Sequence, residues 1–284
     1  MPHVLTTIAE AIEVLREVGK TDTIALVPTM GALHDGHLSL VDIAKRNATK
    51  TVVSVFVNPM QFAPGEDFER YPRTFDDDLA KLDAAGVDYV FAPAVSDMYP
   101  EGVKQTRVVG GYAAGLLEAA HRLAHFDGVL TVVTKLFNIV RPNSAVFGEK
   151  DAQQLFLVRR LVRDLNLDIN VIGAPIIREE DGLALSSRNR YLSTEERAAA
   201  LSLVRALSAA ASNGDRGIRE MISGAQGALM DEKLVKMDYV SIVDPETFAL
   251  VNEAYRGKAL VLVAARVGTT RLIDNMSAYV GEYR

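Results

Sequence analysis

The stretch VPTMGALHDGH (residues 27–37) sets two imidazoles, His34 and His37, three residues apart around Asp35 and Gly36, directly behind an apolar run. Three readings suit that spacing. An i, i+3 histidine pair on one helix face could ligate zinc, but a third ligand is needed and His3, His121 and His125 make no recognisable zinc set. A phosphate cradle is the second. Amide N–H groups and the helix dipole at a strand-to-helix turn favour anions, Gly36 leaves room for a triphosphate, and imidazoles can hydrogen-bond oxygens that gain charge during attack at phosphorus. The third is a plain turn with exposed histidines. A P-loop is excluded, because His37 and Leu38 stand where Lys-Ser/Thr is required. No G-x-G-x-x-G follows a strand, and VGGYAAG (109–115) misses that spacing.

Three other stretches carry chemistry. FVNPMQF (56–62) offers Asn58 and Gln61, neutral donors and acceptors suited to hydroxyls and a carboxylate. FGEKDAQQ (147–154) presents Lys150 as a phosphate partner, with Gln154 one turn later. DGLALSSRNRYLS (181–193) gathers Ser186 and Ser187 with Arg188, whose guanidinium suits bidentate phosphate contact. Each has a plainer reading: turn residues beside Pro59, a solvated surface lysine, and an interdomain linker with an N-cap serine.

These groups need elements to position them. TIALVP, TVVSVFVNP, VDYVFAP, SAVFG and DINVIGAP read as strands, apolar on both faces, as in a parallel sheet covered by helices. Between them lie helices over about 38–46, over FDDDLAKLDAAG up to Gly86, and over about 152–165. Ile8, Ile12, Leu15 and Val18 mark an amphipathic helix ending at Gly19. The series predicts an α/β fold with a Rossmann-like doubly wound parallel sheet. After about Pro175 the composition shifts. STEERAAALSLVRALSAAAS predicts a helix with Ser193 or Thr194 as N-cap and Glu196 close behind, and a second helix covers 218–230. KMDYVSIVD, ALVLVAARVG and a short TRLIDNM follow as strands. The expected division is residues 1–175 and a smaller C-terminal α+β domain over 176–284.

Bulk properties narrow the function. The 284 residues are 49% hydrophobic and 24% charged, with a net charge of −6, so no general field attracts nucleic acid or anionic lipid. Cysteine is absent, which removes disulfides and thiolate chemistry and suits a reducing cytoplasm. The N-terminus lacks the features of a signal peptide, and no apolar run approaches a membrane span, so a soluble protein is expected.

Together, VPTMGALHDGH, VSVFVNPMQF, EDFERYPRT, FGEKDAQQL, DGLALSSRNRYL and LVLVAARVGTTRLIDN resemble, in order and spacing, the pantoate–β-alanine ligase (pantothenate synthetase) family, AMP-forming enzymes of the H-x-G-H nucleotidylyl-transferase superfamily. The resemblance implies that pantoate attacks the α-phosphorus of MgATP and that β-alanine then attacks the resulting pantoyl adenylate. It implies that His34 and His37 steady the phosphates, with His37 also a proton donor. Lys150 and Arg188 act beside them. Thr29, Met30, Gly36, Gly148, Asp151, Ile177, Leu185, Ser186 and Ser187 line the ATP site. Gln61 and Gln154 hold pantoate, Asn58 lies nearby and Tyr71 shapes the β-alanine region. The first domain then binds ATP and pantoate, the second acts as a lid, and the enzyme is a cytoplasmic homodimer. Magnesium is implied by ATP chemistry, its protein ligands unassigned; residues 76–78, Asp-Asp-Asp, read as a solvated helix N-terminus favoured by the dipole. The chain departs from the family at HRLAHF (121–126), where Leu123 and Ala124 replace Pro-Gly. Both are strong helix formers, so the helix through GLLEAAHRLA is expected to run further, which leaves the placement of Arg122 to be decided by the structure.

Overall fold

The computed structural model describes residues 1–63, 65–102, 106–122 and 124–281, with the backbone alone at His121. They divide into two compact units, Met1–Glu149 with Gln153–Pro175, and Lys150–Ala152 with Ile176–Arg284.

The first unit holds strands β1 (His3–Leu5), β2 (Ile24–Thr29), β3 (Lys50–Val55), β4 (Tyr89–Phe91), β5 (Ser144–Gly148) and β6 (Asn170–Ala174), all parallel, in the order β1-β4-β3-β2-β5-β6. Its helices are α1 (Ile8–Val18), α2 (Asp35–Asn47), α3 (Phe75–Ala84), α4 (Val95–Met98), α5 (Glu118–His121), α6 (His125–Val140) and α7 (Ala152–Asp164), whose first residue groups with the second unit. Strand residues alternate between two cores. Ile24, Leu26, Val52, Phe91, Ala145 and Phe147 pack with α1, α6 and α7. Ala25, Val27, Val53, Val90 and Val146 pack with α2 and α3. A sheet buried on both faces explains the continuous apolar strands, and it is doubly wound as expected.

Three of the described elements escaped the sequence reading, one of them the single-turn α4. β1 is a three-residue edge strand ahead of α1. α6 is mostly buried and rich in β-branched residues, but Asp127, Thr131, Thr134, Lys135 and Asn138 fall at helical spacing, a polar stripe the sequence reading did not use.

The expected extension of the helix through residues 115–124 is not observed. α5 stops at His121, Arg122 leaves the helical region at φ −138°, and Ala124 is left-handed at φ +61° before α6 begins. Leu123 lies outside the described residues. Tertiary contacts outweigh propensity here. Arg122 turns out of the helix to pair with Glu66 at 2.8 Å, and the His125 ring reaches the Gln61 carbonyl at 2.7 Å.

In the second unit, β7 (Val235–Val243), β8 (Gly257–Val267) and β9 (Thr270–Val280) form an antiparallel sheet with β8 central. α8 (Thr194–Ser212) and α9 (Ile218–Met230) pack on it. Leu203, Ala206, Leu207 and Ala210 of α8 meet Val261, Val263 and Ala265, which alternate along β8. The α8 start is as expected: Ser193 Oγ accepts the Glu196 amide at 3.2 Å, and a Glu196 carboxylate oxygen accepts the Ser193 amide at 2.9 Å. β9 is eleven residues long, not short, because it pairs with β8 along its whole length.

Candidate functional site

β2, β3 and β5 are adjacent and parallel, ending at Thr29, Val55 and Gly148, so the segments that follow emerge at one edge of the sheet. Chain order reverses at β2, with β3 on one side and β5 on the other, which is where doubly wound sheets open a crevice. Thr29 Oγ1 donates to the Ser54 carbonyl at 2.7 Å and accepts the Gly31 amide at 3.2 Å. The chain then passes through two left-handed residues, Gly31 at φ +80° and Ala32 at φ +52°. Asp78 of α3 braces this turn, its Oδ2 accepting the Ala32 amide at 2.8 Å and its Oδ1 the Leu33 amide at 2.7 Å. Thr74 Oγ1 also donates to Oδ2, and Lys81 Nζ donates to the Leu33 carbonyl at 2.7 Å.

The expectation of a solvated 76–78 stretch therefore holds for Asp76 and Asp77, which are exposed, and fails for Asp78, which is 1% exposed. A buried loop presents amides that need acceptors, and Asp78 supplies both. It lies one helical turn before buried Leu82, so helical period places it on the inner face, a signal the sequence did contain.

α2 opens with His34 as N-cap in extended conformation and His37 in its first turn. The two rings stand 4.1 Å apart, tilted by 38°, and the His34 amide donates to His37 Nδ1 at 3.4 Å. A backbone amide can only donate, so Nδ1 accepts and a neutral His37 carries its proton on Nε2. Gly36, between the two histidines in sequence, belongs to the same first turn, where a helix N-terminus favours an anion.

After β3, Asn58 is buried with its amide fully committed. Its Oδ1 accepts the Tyr99 hydroxyl at 2.8 Å and the Met60 amide at 3.3 Å, while Nδ2 donates to Gln61 Oε1 and the Gly128 carbonyl, both at 3.1 Å. Burial raises the Tyr99 phenol above its usual range, which keeps that donor protonated. Asn58 is thus tied to Gln61. Gln61 Nε2 donates to the Met30 thioether at 3.0 Å, a weak acceptor that a ligand oxygen could replace. Tyr71 is buried, its ring edge-on to Phe62 at 5.9 Å. Of the two glutamines after β5, Gln153 is buried and structural. Its Nε2 donates to the Ala113 and Leu116 carbonyls, and its Oε1 accepts the Glu118 amide. Gln154 is half-buried.

The remaining residues belong to the second unit. The Lys150 carbonyl accepts from Asn275 Nδ2 of β9 at 2.9 Å, while Asp151 is exposed. Ile177 and Leu185 face each other across a hairpin closed at Gly182, with the Leu185 amide donating to the Ile177 carbonyl at 3.0 Å. Arg178 anchors this hairpin to buried Asp274 with bonds of 2.6 and 2.9 Å. Ser186 Oγ accepts the Arg188 amide at 3.3 Å, and Ser187 and Arg188 lie in the following 3-10 turn. The sequence reading missed Asp78, Tyr99, Asp274 and Asn275, because their partners are distant in the chain. Among the described residues, no three His, Asp or Glu side chains gather as a metal site, and no helix is long and apolar enough to cross a membrane.

A sheet that delivers paired imidazoles to a helix N-terminus at its switch point defines a doubly wound α/β protein of the nucleotide-binding kind. The chain belongs to the pantoate–β-alanine ligase family, whose sequence model, described as Pantoate-beta-alanine ligase, matches residues 3–277. It is 54% identical over 252 residues to the pantothenate synthetase of Leifsonia xyli subsp. xyli, covering 89% of this chain and 88% of that one. The crystal structure of pantothenate synthetase from Thermus thermophilus superposes with a TM-score of 0.91 at 48% identity, covering 96% of this chain and 98% of the other. The pantoate-beta-alanine ligase of Francisella tularensis, complexed with beta-gamma ATP and beta-alanine, superposes with a TM-score of 0.81 at 32% identity, covering 97% of each.

Proposed function

We propose that the chain condenses pantoate with β-alanine at the expense of ATP. A pantoate carboxylate oxygen attacks the α-phosphorus, the bond to the bridging oxygen breaks, and pantoyl adenylate and pyrophosphate form. The β-alanine amine then attacks the acyl carbon, loses a proton and expels AMP, leaving pantothenate. The observation that carries this reading is the close, tilted His34–His37 pair at the α2 N-terminus, with Nδ1 of His37 accepting the His34 amide. Nε2–H of His37 is then the donor offered to a phosphate oxygen as charge builds on it.

Thr29, Met30 and Gly36 would line the phosphate path from the first unit, as would Gly148 after β5. Lys150, Asp151, Ile177, Leu185, Ser186, Ser187 and Arg188 would serve ATP from the second unit, with Lys150 and Arg188 supplying positive charge. Gln61 and Gln154 would hold pantoate with amides that do not titrate, Asn58 would orient Gln61, and Tyr71 would shape the β-alanine region. Magnesium would ride on ATP phosphates, which need few protein ligands; the committed oxygens of buried Asp78 do not suit it as a ligand. The second unit would act as a lid, tested by small-angle scattering with and without ATP. A cytoplasmic homodimer completes the reading, with sedimentation as the check on assembly.

The deciding experiment is pantoate-dependent exchange of labelled pyrophosphate into ATP without β-alanine. Absence of exchange, or release of ADP in place of AMP, overturns the adenylate route. His37→Ala is expected to slow this half-reaction by roughly 10²–10³-fold, the usual loss for one preorganised donor, with the fold intact by circular dichroism. Exchange at the parent rate would remove His37 from the chemistry.

A further inference from the structure

Behind Gln61 lies a charged cluster with no assigned task. Arg122 donates from Nε to Glu66 Oε1 and from Nη2 to Oε2, both at 2.8 Å, a bidentate pair. Nη2 also reaches the Gln61 carbonyl at 3.3 Å, and Nη1 lies 3.0 Å from His125 Nε2. His125 Nδ1 is 2.7 Å from the same carbonyl. These partners decide the state of the ring. A carbonyl only accepts and a guanidinium only donates, so both contacts are hydrogen bonds only when His125 is neutral with its proton on Nδ1. A doubly protonated ring would set Nε2–H against the guanidinium. Burial first, then Arg122, pushes this imidazole down to about 4, while the Gln61 bond and the carboxylates of Glu66 and Glu118 oppose the shift. Burial also pushes Glu66 up, but the bond and charge of Arg122 outweigh it and leave the carboxyl below its usual range. From the opposite side, Gly128 of α6 lies so close to the Met60 carbonyl that a Cβ there would sit 2.2 Å from the oxygen.

We propose that Arg122 and His125 are positioning residues, forming with Glu66 a clamp on the Gln61 carbonyl that holds the Gln61 side chain in place for the small hydroxy acid. Four of the five guanidinium N–H groups go to Glu66, His125 and Gln61, so the role proposed for it is to orient the acid-binding residue. The proposal rests on the reading that Gln61 holds pantoate.

The test uses the full-length enzyme. His125→Ala is expected to raise KM for pantoate at least 10-fold while leaving KM for ATP within about twofold. His125→Asn, whose amide N–H can take the place of Nδ1–H, is expected to recover most of the loss, and Arg122→Lys, which loses the fork, to resemble His125→Ala. Independently of activity, ¹⁵N-histidine spectra without substrates should show one neutral Nδ1–H ring unchanged between pH 5.5 and 8, absent from His125→Asn. If the signal lost in His125→Asn is an Nε2–H ring, or one that titrates near the ordinary histidine value, the clamp is overturned. So does His125→Asn no better than His125→Ala, or a pantoate KM unchanged in Arg122→Lys. If Gln61→Ala leaves KM for pantoate unchanged while the Nδ1–H ring is present, the assignment of Gln61 falls and takes the pantoate role with it, but the clamp stands.

Discussion

Asp78 and His125 are buried polar side chains, each fixed by the groups that face it. Asp78 faces backbone amides of the loop before α2, which only an acceptor can satisfy. Asp78→Ala leaves those amides buried without a partner and should cost about 2–4 kcal/mol in urea unfolding, besides slowing pyrophosphate exchange by loosening His34 and His37. Parent stability in this variant would show that the brace is dispensable. His125 faces Arg122, Glu66 and Glu118, and its folded value of about 4 lies below its ordinary 6.5. Between those values the unfolded chain binds the extra proton, so unfolding free energy falls as pH drops from about 6.5 toward 4. The contribution is fully present above that window and amounts to about 3 kcal/mol at most. Urea unfolding at pH 7.5 and 4.5 should show His125→Asn losing less stability on acidification than the parent. Equal losses would assign the acid sensitivity elsewhere.

At the scale of elements, α6 and the 3-10 turn at Pro59–Gln61 form the wall behind Gln61, and Gly128 sets how closely they approach. In Gly128→Ala the new Cβ meets the Met60 carbonyl, forcing the helix outward at a cost of about 1–3 kcal/mol. KM for pantoate should rise more than KM for ATP, and an unchanged ratio would detach α6 from the pantoate site proposed at Gln61. The same elements show what was legible. The α8 start could be read because Ser193 and Glu196 cap each other within one turn. The stop of α5 at His121 could not, since Glu66 and Gln61, which draw Arg122 and His125 away, lie more than fifty residues upstream.

At the scale of the molecule, each unit has its own apolar core, and in the second the hairpin 177–185 depends on Arg178 pairing with Asp274. Arg178→Ala leaves a carboxylate whose side chain is 2% exposed without its counter-ion, a change that typically costs 3–5 kcal/mol. Calorimetry should then show a separate, earlier transition for the second unit. A single transition shifted as a whole would mean that the units unfold as one.

By itself the sequence determined the doubly wound sheet, the later α+β segment and the family, and it nominated His34, His37, Gln61, Lys150 and Arg188 for the proposed chemistry. Strand apolarity, helical period, capping and short motifs are properties of neighbouring residues and survive in a linear reading. Only the tertiary structure decided that Asp78 braces the loop before α2, that Asn58 bonds Gln61, and that Arg122 leaves its helix for Glu66. In each case the partner is far along the chain, and a polar side chain's role depends on whether water or a buried amide, carbonyl or carboxylate stands opposite it.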